Sequence, residues 1–331
     1  MYDFFVGCDV SKATIDVSYR STQIEYLGQF DNNISGFSEM VELLKTITEI
    51  SSSRWFVCFE NTGVYSKALL AWLYSMGIPC CEENAMKISK SKGVVRGRND
   101  VLDSQVICKY AFEKRDSLTP TRLSKPLIVR IRKLLSRRKL LVKQKQGITV
   151  SLQDQQDYID PDHLKIFQKQ NQDLIKLYSQ QIKFIEREIQ VAIASDVEVK
   201  KNYDLATSVV GIGPVIGAHF IVITENFTTF LNGRNFASYS GIAPFLHGQS
   251  GTKSGKNRVS HIANKYMKAL LSNAASAAKL YDPQIADYWN RMIEKGKPKG
   301  VVINNVKNKL VQRTFAVVKR RTPYVKLNTY A

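Results

Sequence analysis

The stretch FFVGCDVSKATIDVSYR, residues 4–20, decides the fold predicted for the first third of the chain. Its beginning, residues 4–9, is a short apolar run that ends in an acid, Asp9, and such a run predicts a β-strand. After a tight turn at residues 11–13, apolar and polar residues alternate through residues 14–20, which indicates a second strand. Strands joined by so short a turn pair in antiparallel fashion.

The following residues predict alternating helices and strands. Further strands are expected at 25–30, 55–60 and 80–82, and helices at 34–50, 65–76 and 100–112, with Ser35 as the N-cap of the first helix. Three antiparallel strands followed by β/α alternation are the pattern of the ribonuclease-H-like fold. The predicted fold class is therefore α/β at the front, followed by a part that is mainly helical.

Four acidic residues fall at the ends of these elements. Asp9 and Glu60 each end a strand, while Asp100 and Asp103 lie three residues apart on one face of a helix start. Taken singly, Asp9 could cap a turn, and Asp100 and Asp103 could be favourable first-turn charges. Together, four converging carboxylates repel one another unless a cation lies among them, and oxygen ligands of this kind suit Mg²⁺ or Mn²⁺.

The charge is unevenly distributed along the 331 residues. The chain has 48 Lys and Arg against 29 Asp and Glu, a net charge of +19, and residues 232–331 contain only three acids. A basic protein can be simply soluble and basic, but so few acids in the last hundred residues favour nucleic acid as the partner. A hydrophobic content of 44% excludes a disordered chain.

Location follows from what the sequence lacks. It has no apolar run of about 18 residues and no basic start followed by an apolar stretch, so we expect neither a membrane span nor a signal peptide. The five cysteines lie among apolar residues without a CxxC pair. They predict reduced core thiols in a cytoplasmic protein, and they offer no zinc site.

The middle of the chain predicts two long amphipathic helices. Residues 117–153 contain ten basic residues and no acid, and a second helix is expected at 164–194 after a bend within 147–161. Such helices can form a coiled coil, although the apolar stripe could equally pack on its own domain. We predict phosphate contact for the cationic face formed by Arg130, Arg132, Lys133, Arg137, Arg138 and Lys139.

The rear third contains two further signals. Gly211-Ile212-Gly213-Pro214 resembles a helix-hairpin-helix turn, in which backbone N–H groups of Gly211 and Gly213 face a phosphate, although a plain helix–helix turn fits as well. Ser250 follows glycines and small residues, and three cations come soon after it. From the residues alone Ser250 is more typical of a turn, and as a nucleophile it needs a base or a metal ion. The three cations are Lys253, Lys256 and Arg258.

Several motifs resemble one family in order along nearly the whole chain. They are Gly7-Cys8-Asp9-Val10-Ser11-Lys12, Glu60-Asn61-Thr62-Gly63-Val64-Tyr65, Asn99-Asp100-x-x-Asp103, the Y-x-G-hydrophobic-x-P pattern at 239–244, and Ser250-Gly251. The sequence thereby resembles the IS-one-ten insertion-sequence transposases and the Piv-type DNA invertases.

The resemblance implies a RuvC-like domain at 1–118, a basic helical coiled-coil region at 119–200 and a helical transposase domain at 201–331. It implies a DEDD set of Asp9, Glu60, Asp100 and Asp103 that binds Mg²⁺ or Mn²⁺, and Ser250 as the nucleophile that forms a covalent serine–phosphate intermediate. The implied partners are donor and target DNA and a structured non-coding bridge RNA. The implied assembly is a homo-oligomer, a dimer and in the active complex a tetramer, in which different subunits contribute the acidic site and the serine.

Two other functions remain open. One is a RuvC-like, metal-dependent DNA nuclease of the junction-resolving type that uses water instead of Ser250. The other is a non-enzymatic nucleic-acid-binding protein with a degenerate acidic site.

Overall fold

The computed structural model describes residues 2–91, 99–151, 158–245, 249–250, 253–254, 258–259 and 263–326. The chain forms two compact units, Met1–Leu123 and Ser124–Ala331. A division of the second unit near residue 200 stays a prediction.

The first unit is built on a mixed five-stranded sheet with the order β3-β2-β1-β4-β5. Strands β1, β2 and β3 are antiparallel, whereas β4 and β5 run parallel to β1. Thus the strand that ends in Glu60 pairs beside the strand that contains Asp9. The strands are β1 Phe4–Val10, β2 Thr14–Arg20, β3 Ile24–Asp31, β4 Trp55–Glu60 and β5 Cys80–Glu83.

Helices cover both faces of this sheet. Helices α1 and α2 pack on one face, where Phe37 and Leu69 join the core formed by Val6 and Val57. Helices α3 and α4 pack on the other face, where Ile88 and Ile107 contact a core that contains Phe5 and Phe56. Helix α3 was not expected from the sequence. The bounds are α1 Ile34–Ile47, α2 Ser66–Ser75, α3 Ala85–Ser91 and α4 Asp100–Glu113.

The N-cap prediction for α1 is wrong. Asn33, not Ser35, caps the helix, and its side chain accepts a hydrogen bond from the backbone N–H of Gly36 at 3.0 Å. The start is fixed by packing, because a Cβ at Gly36 would lie 2.2 Å from the carbonyl oxygen of Asp31. The helix can begin only where this glycine meets the end of β3.

Helix α4 lies unusually close to strand β1. A Cβ added at Gly7 would lie 2.2 Å from the backbone nitrogen of Cys108 and 2.5 Å from the carbonyl oxygen of Ser104. Beside this contact, the buried hydroxyls of Ser18 and Ser104 form a hydrogen bond of 2.7 Å. Helix and sheet are therefore locked together by small residues that permit backbone contact.

The second unit begins with a long helical hairpin. Helix α5, Pro126–Ser151, packs against α6, Pro161–Ala194, and the two run antiparallel, since Arg130 pairs with Glu188 near one end and Asn171 donates to the Ile148 carbonyl near the other. The bend expected within 147–161 begins later than predicted, because α5 continues past Gly147 to Ser151. The base of the hairpin packs on α7 and α8 through residues that include Ile131, Ile193 and Ile221.

The rest of the second unit is a helical cluster around one apolar core, as expected for a mainly helical rear part. Phe220, Phe236, Leu271 and Leu310 are fully buried in this core. Two short strand pairs, β6 with β9 and β7 with β8, were not predicted. The elements are α7 Val197–Thr207, α8 Pro214–Ile223, α9 Gly233–Tyr239, β6 Pro244–Phe245, β7 Gln249–Ser250, β8 Lys253–Ser254, β9 Arg258–Val259, α10 Lys265–Tyr281, α11 Pro283–Glu294 and α12 Lys299–Arg320.

Among the helices in the described ranges, none has the length and apolarity that a membrane span requires.

Replacing Gly7 by alanine tests the contact between β1 and α4. The added Cβ meets backbone atoms that have no flexible side chain to move aside, so Gly7→Ala should destabilise the protein by about 1–3 kcal/mol, the usual cost of overpacking. Urea unfolding measures this cost. The control must be a glycine with an ordinary backbone conformation, which excludes Gly77 because its φ is 68°. Gly300→Ala, in α12 with open space around the glycine, is the matched control. Equal stability of Gly7→Ala and the wild type would contradict the close packing.

Candidate functional site

The sheet places Asp9 and Glu60 side by side. Strands β1 and β4 are parallel and Cys8 is opposite Phe59, so the next residues, Asp9 and Glu60, follow at the same end of neighbouring strands. Because side chains alternate along a strand, Asp9 shares a face with Phe5, and Glu60 shares a face with Phe56. That is the face covered by α4.

Helix α4 brings the other two predicted acids to this place. Asn99 caps the helix and accepts from the N–H of Val101 at 3.0 Å, and Asp100 and Asp103 occupy the first turn. Asp103 directly precedes Ser104, the residue that is anchored to the sheet by Ser18. The packing of α4 therefore sets the position of both aspartates relative to Asp9.

The four acids interact electrostatically. Burial, followed by the charges of Asp103, Asp100 and Glu60, raises the pKa of Asp9 from 3.8 to about 6. The contribution of each of the three acids means that their charges reach Asp9. We call Asp9, Glu60, Asp100 and Asp103 the acidic cluster.

The ligand atoms of the acidic cluster suit a divalent cation, but the side chains are not close enough together to coordinate one. Its oxygen donors are the type that Mg²⁺ and Mn²⁺ prefer. The carboxylates repel one another, and no positive charge contributes to the pKa of Asp9 by lowering it. Within the ranges that the structure describes, however, no three His, Cys, Asp or Glu side chains are grouped tightly enough to hold a metal ion. Metal binding here therefore requires these side chains to close in on the ion.

A fifth carboxylate, Asp16, belongs to the same neighbourhood and was missed by the sequence analysis. It lies opposite Asp9 on strand β2, it is 4% exposed, and its charge also raises the pKa of Asp9. The Tyr26 hydroxyl donates to it at 2.7 Å and the Gln29 side-chain amide at 3.0 Å. The alternation of residues 14–20 marks Asp16 as polar, but only the presence of α4 shows that its face is covered.

The cationic face of α5 is partly engaged inside the protein. Arg130 pairs with Glu188, Arg132 with Glu225, and Arg138 with Glu186 at 2.7 Å. The Lys139 ammonium lies 4.3 Å from the centre of the Tyr266 ring. Among the described residues, the exposed side chains of Lys133 and Arg137 have no ion-pair partner. A phosphate role for these six residues stays a prediction.

Arg132 and Lys139 also line a cavity of about 390 Å³ in the second unit. Burial, with the nearby charges of Arg138 and Lys139, lowers the pKa of His219 in this cavity to about 4. The imidazole is therefore neutral at neutral pH. Ser136, Tyr239, Asn264 and Tyr266 complete the polar part of the lining.

The glycines of the predicted helix-hairpin-helix turn, Gly211 and Gly213, lie at a helix contact and at a helix start. Gly211, with a φ of 96°, lies against α10, where a Cβ would be 2.5 Å from the Ala274 carbonyl oxygen. This close approach accounts for the first glycine, and Gly213 is the N-cap of α8. A phosphate contact by either glycine stays a prediction.

Ser250 lies in a short strand pair. It is opposite Lys253, and Arg258 pairs with Phe245 in the neighbouring ladder. Lys256 lies outside the described residues. Their catalytic and binding roles stay predictions.

Replacing Asp9 by asparagine tests the repulsion within the acidic cluster. A carboxyl whose folded pKa of about 6 lies above the unfolded 3.8 binds more protons when folded, so its contribution to stability is lost as the pH rises from 4 to 6. With EDTA present, Asp9→Asn should therefore raise the Tm at pH 7.5 by a few degrees, and the gain should vanish below pH 4. Calorimetry across this pH range measures it, with Glu39→Gln on exposed α1 surface as the control. A lower Tm at pH 7.5 would contradict the repulsion.

Comparison with known proteins agrees with this arrangement in both units. Residues 6–158 match a DEDD transposase family model of the IS110 type, and residues 203–290 match one described as "Transposase IS116/IS110/IS902 family". The chain is 25% identical to the pilin gene-inverting proteins of Moraxella lacunata and Moraxella bovis over 97% of its length and 98% of theirs. A probable family 20 transposase of Pseudomonas aeruginosa is 26% identical over 42% of this chain and 41% of its own. The chain belongs to the IS110, or IS-one-ten, family of transposases and DNA invertases.

Proposed function

We propose that this protein is the recombinase of an insertion sequence and that it cuts and rejoins DNA strands with both the acidic cluster and Ser250. The family implies a DNA recombination enzyme that depends on a divalent metal ion. The observation that carries the mechanistic proposal is the placement of Asp9 and Glu60 at the same end of neighbouring strands, with Asp100 and Asp103 in the first turn of α4, because the charges of all three other acids reach Asp9 there.

The acidic cluster would hold the metal ion through Asp9, Glu60, Asp100 and Asp103. When bound, Mg²⁺ or Mn²⁺ supplies positive charge that draws phosphate oxygens to these acids and neutralises negative charge that develops at phosphorus. The chain's own contribution is to keep the carboxylates together against their repulsion. Asp16, held by Tyr26 and Gln29, fixes the strand opposite Asp9.

Ser250 would act as the nucleophile. Its Oγ forms a bond to phosphorus, one bridging P–O bond of the DNA breaks, the serine proton passes to a base, and the leaving deoxyribose hydroxyl takes up a proton. The bond energy of the phosphodiester is kept in the serine ester, so a second DNA hydroxyl can reverse the step and join a new strand. Lys253, Lys256 and Arg258 follow within eight residues in the sequence and would offset the phosphate charge.

The basic surfaces would bind nucleic-acid backbones. The 18 basic and three acidic residues of 232–331 favour a polyanion there, and a structured bridge RNA that pairs with donor and target DNA would read sequence in place of the protein. On α5 we propose Lys133 and Arg137 as the first phosphate contacts, because the other four cations have partners inside the protein.

Loss of a covalent intermediate in Ser250→Ala tests the proposed nucleophile. The wild type, incubated with Mg²⁺, labelled DNA that contains the element ends, and RNA transcribed from the flanking sequence, should form a protein–DNA adduct that is visible on a denaturing gel. Ser250→Ala should form none, because no other hydroxyl takes its place. Ser254→Ala, one strand away in β8, is the matched control and should keep the adduct.

The same gel separates the alternatives. Asp9→Asn should also lose the adduct, since the phosphate is no longer held. Cleavage that persists in Ser250→Ala would favour a nuclease that uses water, and absence of cleavage by the wild type with Mg²⁺ or Mn²⁺ would favour a non-enzymatic binding protein.

Neighbouring arginines of α5 allow a test of the cationic face. Arg137→Glu should weaken binding of duplex DNA and lower the slope of log K against log salt by about 0.9 or more, at unchanged Tm, because Arg137 is exposed and a phosphate contact is lost. Arg138→Met should instead lower the Tm, because Glu186 loses its partner. Fluorescence anisotropy measures binding at salt concentrations from about 50 to about 200 mM, a range over which the slope can be determined. An unchanged slope in Arg137→Glu would refute the contact.

A further inference from the structure

A buried lysine without a counter-charge lies in the second unit. Lys307, in the middle of α12, is only 6% exposed, and the part of its side chain that reaches solvent includes the ammonium. Its side chain forms no hydrogen bond or ion pair with any residue in the described part of the chain. A charge at the end of a mostly buried side chain is poorly solvated, and an opposite charge or several hydrogen bonds would stabilise it.

The charge that shifts the pKa of Lys307 belongs to another cation. Burial lowers the pKa of Lys307, and Lys268 on α10, a helix that packs against α12, lowers it further, whereas no acid counteracts the shift. The side chain of Lys268 is likewise without a hydrogen bond or ion pair to a described residue. The charge of Lys268 thus acts on the ammonium of Lys307, and no acid in the described ranges offsets that effect.

The surrounding chain has little negative charge to offer. The only acids after residue 231 are Asp282, Asp287 and Glu294. Asp282 already accepts from Arg313 at 2.7 Å and from the Tyr324 hydroxyl at 2.9 Å. The segment 244–262, of which only four residue pairs are described, contains neither Asp nor Glu in its sequence. An anion at the two lysines must therefore come from outside this part of the chain.

Both lysines lie one helical turn from the residues that anchor the segment carrying Ser250. Before that segment, the side-chain amide of Asn304 donates to the carbonyl of Ile242 at 2.7 Å, and Lys307 is three residues further along the same helix. After it, Asn264 donates from its backbone to the Tyr239 carbonyl and from its side chain to the Tyr239 hydroxyl, and Lys268 is four residues further. Residues three and four apart share a helix face, so the lysines flank the base of this segment.

We propose that Lys268 and Lys307 form a phosphate-binding site that takes a phosphodiester of the substrate DNA at the base of the Ser250 segment. This inference rests on the proposed function, in which Ser250 attacks a DNA phosphate. Each ammonium offers three N–H donors, and a phosphodiester supplies two non-bridging oxygens that share one negative charge and can accept from both. DNA is favoured over the bridge RNA because the site lies at the base of the segment that carries the serine, which would react with DNA.

Lys307→Met tests the site, because methionine keeps an unbranched side chain and removes the charge. The free protein should keep its Tm or gain a few degrees, since an unpaired buried charge is gone. In EDTA, binding of a labelled DNA duplex of about 40 bp, or about four helical turns, should weaken about 10-fold. The slope of log K against log salt should fall by about 0.9. Lys307→Arg should restore most of the affinity.

Lys319→Met, at the exposed end of the same helix, is the matched control and should bind DNA within about two-fold of the wild type. Unchanged affinity and slope in Lys307→Met would overturn the proposal, and so would a loss confined to binding of an RNA hairpin. A fall in Tm with an unchanged slope would mark Lys307 as structural and would also overturn it. Should Lys307→Met fail to fold, Lys268→Met gives the same readings.

The inference and the proposed function can fail separately. If the wild type forms the covalent adduct while Lys307→Met binds DNA normally, only the phosphate site is wrong. If Lys307→Met loses DNA affinity while the wild type forms no adduct, the phosphate site stands and the serine mechanism is wrong.

Discussion

The close approach of helix α4 to strand β1 at Gly7 is the contact on which the acidic cluster depends. Backbone atoms of Ser104 and Cys108 occupy the space that a Cβ at residue 7 would fill, so the helix lies directly on the strand. The buried hydrogen bond between Ser18 and Ser104 fixes the helix along its length. Asp103 is thereby held near Asp9, and a larger residue at position 7 would move the helix outward and weaken their interaction.

This packing keeps like charges together at a cost that the rest of the unit must offset. The charges of three acids and of Asp16 disfavour ionisation of Asp9, and they do so at the ends of strands whose other residues are almost all buried. Apolar cores on both faces of the sheet provide the compensating stability. The cluster is therefore a place where the chain gives up stability, which is typical of a functional site.

The strands and the four acids could be predicted because their signals are local: each short apolar run ends at an acid, and the Asp100 and Asp103 pair opens a helix. What was missed depends on contacts between distant residues. Asp16 looks like a solvent-facing residue of an alternating strand until α4 covers its face. The choice of Asn33 over Ser35 is made by Gly36 against Asp31, and the partner of Arg132 is Glu225, 93 residues away. No periodicity in the sequence contains these relations.

The difference between local sequence signals and contacts between distant residues also governs how the positive charge of the second unit is interpreted. Net charge predicts a polyanionic partner, yet it treats every cation alike, whereas Arg138 is neutralised by Glu186 and Arg137 is left to solvent. An exposed cation costs little because water solvates it, so its presence alone says little about a ligand. A mostly buried cation such as Lys307 is poorly solvated in the free protein, and binding of an anion offsets that loss. Burial without a counter-charge is therefore a stronger indication of a phosphate site than the density of lysines and arginines along a helix.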